Sequence, residues 1–109
     1  MKSIVGVASC PAGIAHTYLA AESIIKAGKK RGYSVKMETD GAGGRENVLS
    51  PEEIREAVVV IIAADTTVEM KRFNGKLLIE ISTGDAIHSA KKVIEMVENN
   101  ELKTYVHRR

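Results

Sequence analysis

With 109 residues, 44% of them hydrophobic and 28% charged, the chain is long enough for one packed core and too short for two, which excludes fibrous and disordered classes. The 16 basic and 14 acidic residues leave a net charge of only +2, and with no Trp and one Phe the sequence lacks the aromatic-interleaved basic face of a nucleic-acid binder, so no nucleic acid is expected as partner. The longest apolar run, Ala57 to Ala64, is less than half of what a membrane helix needs, and no signal-peptide segment opens the chain; the expected location is cytoplasmic. Cys10 is the single cysteine, unable to form an internal disulfide and suited to a reducing compartment, so it serves either as core filling or as chemistry.

Ser3 to Ala8 is apolar and rich in β-branched residues, which predicts a buried first strand ending at Cys10. A helix is predicted from about His16 to Arg31, with Ile14, Tyr18, Ala21, Ile25 and Gly28 on its core stripe and Gly32 as its stop. Tyr33 to Thr39 alternates apolar and polar residues, the period of an edge strand wet on one face. The run Gly41, Ala42, Gly43, Gly44 follows this second strand and misses the G-x-G-x-x-G spacing of a dinucleotide site; it reads as a flexible loop near the crevice. Ser50, Pro51 and Glu53 spell an N-cap, a first-turn proline and a capping-box acid for a helix running to about Glu56.

Ala57 to Ala64 is apolar throughout, as a central strand covered on both faces must be, and Asp65 ends it. Thr67 to Phe73 suggests a brief helix and Lys76 to Ile81 the fourth strand. Ser82 with Asp85 caps a final helix whose stripe is Ile87, Ala90, Val93, Ile94 and Val97. The expected fold is α/β: three layers, a four-stranded parallel sheet in the order 2-1-3-4 with helices on both faces, Rossmann-like. In such a sheet ligands sit beyond the carboxyl ends of strands one and three, where Cys10 lies.

The stretch Ser9 to Thr17, SCPAGIAHT, forms the turn into helix one and sets a thiol at the helix N-terminus, where unpaired N–H groups and the dipole favour an anion. Gly13 lets the loop curl, small Ala12 and Ala15 let backbone approach a ligand, and Ile14, His16 and Thr17 complete the candidate phosphate-binding loop. Such a nest can position a phosphoryl group and stabilise its oxygens without a metal or cofactor, and none is expected.

The segment CPAGIAHTYLAAE closely resembles the signature CPTGIAHTFMAAE of fructose-family enzyme IIB domains of the bacterial phosphoenolpyruvate-dependent sugar phosphotransferase system. The likeness continues through METDG, ENVLSPEEI, IIAADTTVE and KRFNGK, and leaves out about the last dozen residues. It implies a phosphocysteine domain over residues 1–98 followed by a tail or linker over 99–109. It also implies a protein-N(pi)-phosphohistidine–D-fructose phosphotransferase activity. Cys10 would accept a phosphoryl group from phosphohistidine of the IIA component and pass it to fructose in the membrane IIC component. Ala12 stands where the family has threonine, so backbone donors must replace a hydroxyl contact.

Other residues carry two readings. His16 is a partner of the phosphoryl group or a residue that orders the loop. Asp65 borders the crevice, orienting His16 or the incoming donor, or simply caps the next helix. Exposed Leu19 would sit near Cys10 on the flank of helix one. His88 and His107 lack metal-ligand spacing. The rival function is a low-molecular-weight-type cysteine phosphatase, which needs C-x5-R, but the arginine position holds His16.

Overall fold

The computed structural model describes residues 2–11, 14–41 and 44–106, Ile14 by its backbone alone. The elements in chain order are β1 (Ser3–Ser9), α1 (Ile14–Lys30), β2 (Ser34–Gly41), β3 (Gly44–Glu46), α2 (Pro51–Glu56) and β4 (Val59–Ala64). A 3-10 turn at Lys71–Phe73 leads to β5 (Leu77–Ile81), α3 (Thr83–His88), α4 (Ala90–Glu98) and β6 (Lys103–Thr104).

The strands make one six-stranded sheet in the order β3-β2-β1-β4-β5-β6. This corrects the expected four-stranded parallel sheet. The inner four strands are parallel to their neighbours, but β3 pairs antiparallel with β2 and β6 antiparallel with β5, so the sheet is mixed. The glycine-rich segment is accordingly the tip of a β2–β3 hairpin in which Gly41 pairs with Gly44; Ala42 and Gly43 lie outside the described residues. The segment after Glu98 reaches the other edge, where Leu77 pairs with Thr104 and the Tyr105 amide donates to the Lys76 carbonyl at 2.8 Å.

Successive side chains of a strand point to opposite faces, and here each face has its own core. Ile4, Ala8, Val59, Ile61, Ala63 and Ile79 pack against Ala20, Ala21 and Ile24 of α1, Ala86 of α3 and Val93, Ile94 and Val97 of α4. Val5, Val7, Val60, Ile62 and Leu78 face the other way, against Leu49, Ile54 of α2 and Phe73. The capping box before α2 forms as its residues suggest: the Glu53 amide donates to Ser50 Oγ at 3.1 Å and the Ser50 amide to the Glu53 carboxylate at 2.8 Å.

Three further expectations are corrected. The last helix is two helices, because Ser89 (φ −132°, ψ 28°) leaves helical geometry and separates α3 from α4. The buried stripe of α1 is rotated by about one residue from the expected one: Thr17, Ala20, Ala21, Ile24 and Gly28 face inward, whereas Tyr18 is 36% exposed and hydrogen-bonds the Glu46 carboxylate of the hairpin. Glu38, expected on the wet face of β2, is 1% exposed. It accepts two hydrogen bonds from Arg72, at 2.7 and 2.6 Å, and a third from the Leu49 amide at 2.9 Å. Burial pushes its carboxyl up, but the Arg72 guanidinium and the Leu49 amide outweigh that and hold it below the usual carboxylate range.

Gly28 is where α1 touches β2. A Cβ there would lie 2.4 Å from Val35 Cγ2, closer than packed carbon atoms tolerate. Gly28→Ala is therefore expected to destabilise the fold by about 1–3 kcal/mol despite alanine's better helix propensity. Adding Val35→Ala should recover part of that loss, a coupling that urea denaturation of the single and double variants will measure.

Candidate active site

β1 carries Cys10 to the carboxyl edge of the sheet. Its residues are buried from Ile4 to Ser9, and Cys10 immediately follows as a half-buried free thiol. Pro11 is exposed, and α1 begins at Ile14. The first turn of α1 contains no acidic side chain, while Lys29 and Lys30 occupy its last turn. The positive end of the dipole thus faces the Cys10 turn without a carboxylate of its own helix to occupy it.

The candidate loop residues divide. Ala12 and Gly13 lie outside the described residues, as does the side chain of Ile14. Ala15 and His16 are exposed beside the turn. Thr17 is fully buried, and its hydroxyl has no hydrogen-bond partner among the described residues. Leu19, 48% exposed, adds an apolar spot to the same first turns of the helix, whereas His88 stands at the end of α3. His107 lies outside the described residues.

Asp65 enters from β4. Ser9 and Ala64 are register partners, and the Asp65 amide donates to the Ser9 carbonyl at 3.0 Å, so Cys10 and Asp65 leave neighbouring strands side by side. The Asp65 carboxylate accepts the Thr83 amide at 3.1 Å and the Thr83 hydroxyl. Cys10 and His16 lie near enough to act on the same carboxylate. The Thr83 hydroxyl and amide, in that order, hold its carboxyl below the ordinary aspartate range against the opposing effect of burial, with Cys10 and His16 adding to them. Asp65 therefore ties down the first residue of a helix, Thr83. The helix is α3, which follows β5, and not the next one in the chain.

Thr83 is the residue of this site that sequence reasoning passes over. It is 2% exposed and opens α3 behind the Ser82 cap, whose Oγ accepts the Asp85 amide at 3.0 Å. A threonine one place after a capping serine carries no local sign that its partner lies 18 residues back. A cleft of about 500 Å³ opens past β4 and β5, with Ala64, Thr66, Thr67, Ser82 and Asp85 in its wall, but Cys10 does not line it. Cys10 lies outside this cleft as a half-buried thiol.

A family model described as "PTS system, Lactose/Cellobiose specific IIB subunit" matches residues 5–96, the whole span from β1 into α4. The chain belongs to the PTS IIB family. It is 49% identical over 94 residues to the PTS system fructose-specific EIIB'BC component of Xanthomonas campestris pv. campestris, covering 86% of this chain and 16% of that one. A second relative is the PTS system fructose-like EIIB component 2 of Escherichia coli K12, 37% identical over 95% of this chain and 99% of its own length. Among solved structures, a domain of the fructose-specific IIABC component of Borrelia burgdorferi superposes with a TM-score of 0.90 at 43% identity, covering 95% of this chain and 98% of that domain. The IIB chain described here thus spans only a small part of its EIIB'BC relatives but nearly all of the shorter one. Its fructose-type likeness extends through sequence and fold alike.

Proposed function

We propose that this IIB chain is a relay: Cys10 Sγ takes a phosphoryl group from a phosphohistidine of a IIA component and gives it to a sugar, fructose or a close relative, held by a membrane IIC component. The observation that carries the reading is the half-buried free thiol between the end of β1 and the start of α1, a helix whose own first turn holds no acidic side chain. Family membership supplies the phosphotransferase context, and the names of relatives that join several parts, EIIB'BC and EIIABC, support A and C components as partners.

In the first step the N–P bond of the donor breaks as the S–P bond forms, and the thiol proton ends on the released imidazole nitrogen. In the second the sugar hydroxyl attacks phosphorus, the S–P bond breaks, and the hydroxyl proton returns to sulfur. What this chain contributes is position and charge: the open end of α1 offers N–H groups to the phosphoryl oxygens, which are the atoms that carry charge in the transition state. Exposed Ala15, His16 and Leu19 border the approach to the thiol and suit protein-to-protein delivery. The domain would work on the cytoplasmic side of the permease, where its donor is found. Incubation with a phosphorylated fructose-type A component is expected to add one phosphoryl group to the chain, seen by intact mass under non-acidic conditions. A chain that remains unmodified while the donor keeps its phosphate contradicts the relay.

A further inference from the structure

We infer that Asp65, clamped by Thr83, is a positioning residue that sets the direction of transfer: its carboxylate orients the Cys10 thiol before phosphate arrives and repels the phosphoryl group afterwards. Cys10 then passes its load on instead of storing it. This deepens the relay reading and rests on it.

The geometry makes the arrangement hard to avoid. Cys10 and Asp65 follow directly on register partners of adjacent parallel strands, and the Asp65 amide is tied to the Ser9 carbonyl at 3.0 Å. The carboxylate cannot turn away freely, because the Thr83 amide and hydroxyl both hold it, and Thr83 is 2% exposed, too enclosed to exchange that bond for water. The same strand ends set the Cys10 thiol beside that carboxylate, near enough to help hold it ionised. Among the described residues no lysine or arginine forms an ion pair with Asp65, so its charge remains to act on the site.

A carboxylate needed only to cap α3 would be placed there for Thr83 alone. This one also sits on the strand neighbouring the one that carries Cys10, the residue proposed to receive a dianion. During acceptance the donor's N–P bond breaks, the S–P bond forms and the thiol proton goes to the released imidazole nitrogen. Asp65 stays charged throughout, first as the acceptor that aims the S–H and then as a like charge beside the phosphoryl oxygens. Two like charges on neighbouring strand ends, at an effective dielectric between that of a protein surface and water and screened by salt, shift an equilibrium by on the order of ten-fold. The repulsion raises the free energy of the phosphorylated state and so favours outflow to the acceptor.

The experiment compares the full chain with its Asp65→Asn, Thr83→Val and Thr83→Ser variants by two readouts. The first is the ratio of Cys10 alkylation rates with iodoacetate and iodoacetamide. Because the two reagents attack the same thiolate and differ in charge, their ratio reports the local field at sulfur. Asp65→Asn is expected to raise that ratio about five-fold and to reduce its salt dependence; Thr83→Val should move it the same way and Thr83→Ser restore it. The second readout is the phosphorylated fraction of Cys10 at equilibrium with a phosphorylated fructose-type A component. Here Asp65→Asn is expected to shift the constant toward phosphocysteine about ten-fold while slowing delivery to the acceptor. A merely damaged site would lower acceptance, so a gain cannot come from misfolding. A wild-type chain that is phosphorylated, with ratio and equilibrium unmoved or the equilibrium lowered in Asp65→Asn, overturns this assignment alone. A wild-type chain that takes no phosphoryl group overturns the relay, and this assignment with it.

Discussion

Arg72→Met is expected to cost the fold about 3 kcal/mol, because it strands the Glu38 carboxylate in a site 1% exposed. The figure is at the low end for a broken buried pair, since the Arg72 side chain keeps 19% of its surface in water. Three hydrogen bonds converge on Glu38 in the intact chain, two from Arg72 and one from the Leu49 amide, and Arg72 also stacks its guanidinium 4.8 Å from the Phe73 ring centre. Together they pin the 3-10 turn and the segment before α2 against β2. The pH dependence separates this cause from lost packing. In the wild type the Glu38 carboxyl is held below its ordinary range, so its contribution is complete above the unfolded value of about 4.3 and is lost as pH falls through the lowered folded value. In Arg72→Met the dominant remaining influence is burial, which pushes the carboxyl up, so the variant's deficit should shrink as acid protonates it. Urea denaturation at several pH values measures both trends. Adding Glu38→Gln should recover part of the loss by removing the stranded charge. A deficit below about 1 kcal/mol, constant with pH, would class the pair with ordinary surface ion pairs.

Cys10→Ser is expected to reduce phosphoryl acceptance by on the order of a thousand-fold or more, since a serine hydroxyl lacks both the nucleophilicity and the accessible anion of a thiol. The fold should barely change. Cys10 is half-buried beyond the end of β1, outside both hydrophobic cores, and replacing one such atom falls in the range of about 1 kcal/mol or less. Initial rates with a phosphorylated A component give the first quantity and urea midpoints the second. A serine variant that still accepts phosphate at the wild-type rate would move the chemistry to another residue.

Where sequence and structure agree, the signal is local. The unbroken apolar runs of β1 and β4 can only be covered on both faces, and S-P-x-E before α2 is a helix start that needs no tertiary partner. Placing Cys10 between β1 and α1 required no more than that. What was not legible depends on distance. β3 and β6 have three and two residues, too few for a periodic pattern, and exist because β2 and β5 offer them open edges. Glu38 occupies the polar phase of an alternating strand, and only Arg72, 34 residues away, makes its burial tolerable. The break at Ser89 falls between helical segments whose apolar residues read as one stripe. At the site, Asp65 could be placed near Cys10 from the expected strand order. Its clamp could not, because Thr83 meets it only after the chain has run through β5 and turned back.

The relay requires that the phosphoryl group reside on the Cys10 sulfur. The most direct measurement is ³¹P NMR of the full chain after transfer from a phosphorylated A component, backed by peptide mapping at neutral pH. The expected result is a single resonance of the sulfur-bound type, assigned to the peptide that holds Cys10 and absent from Cys10→Ser. A nitrogen-bound phosphoryl group on His16 or His88, persisting when Cys10 is replaced, would contradict it.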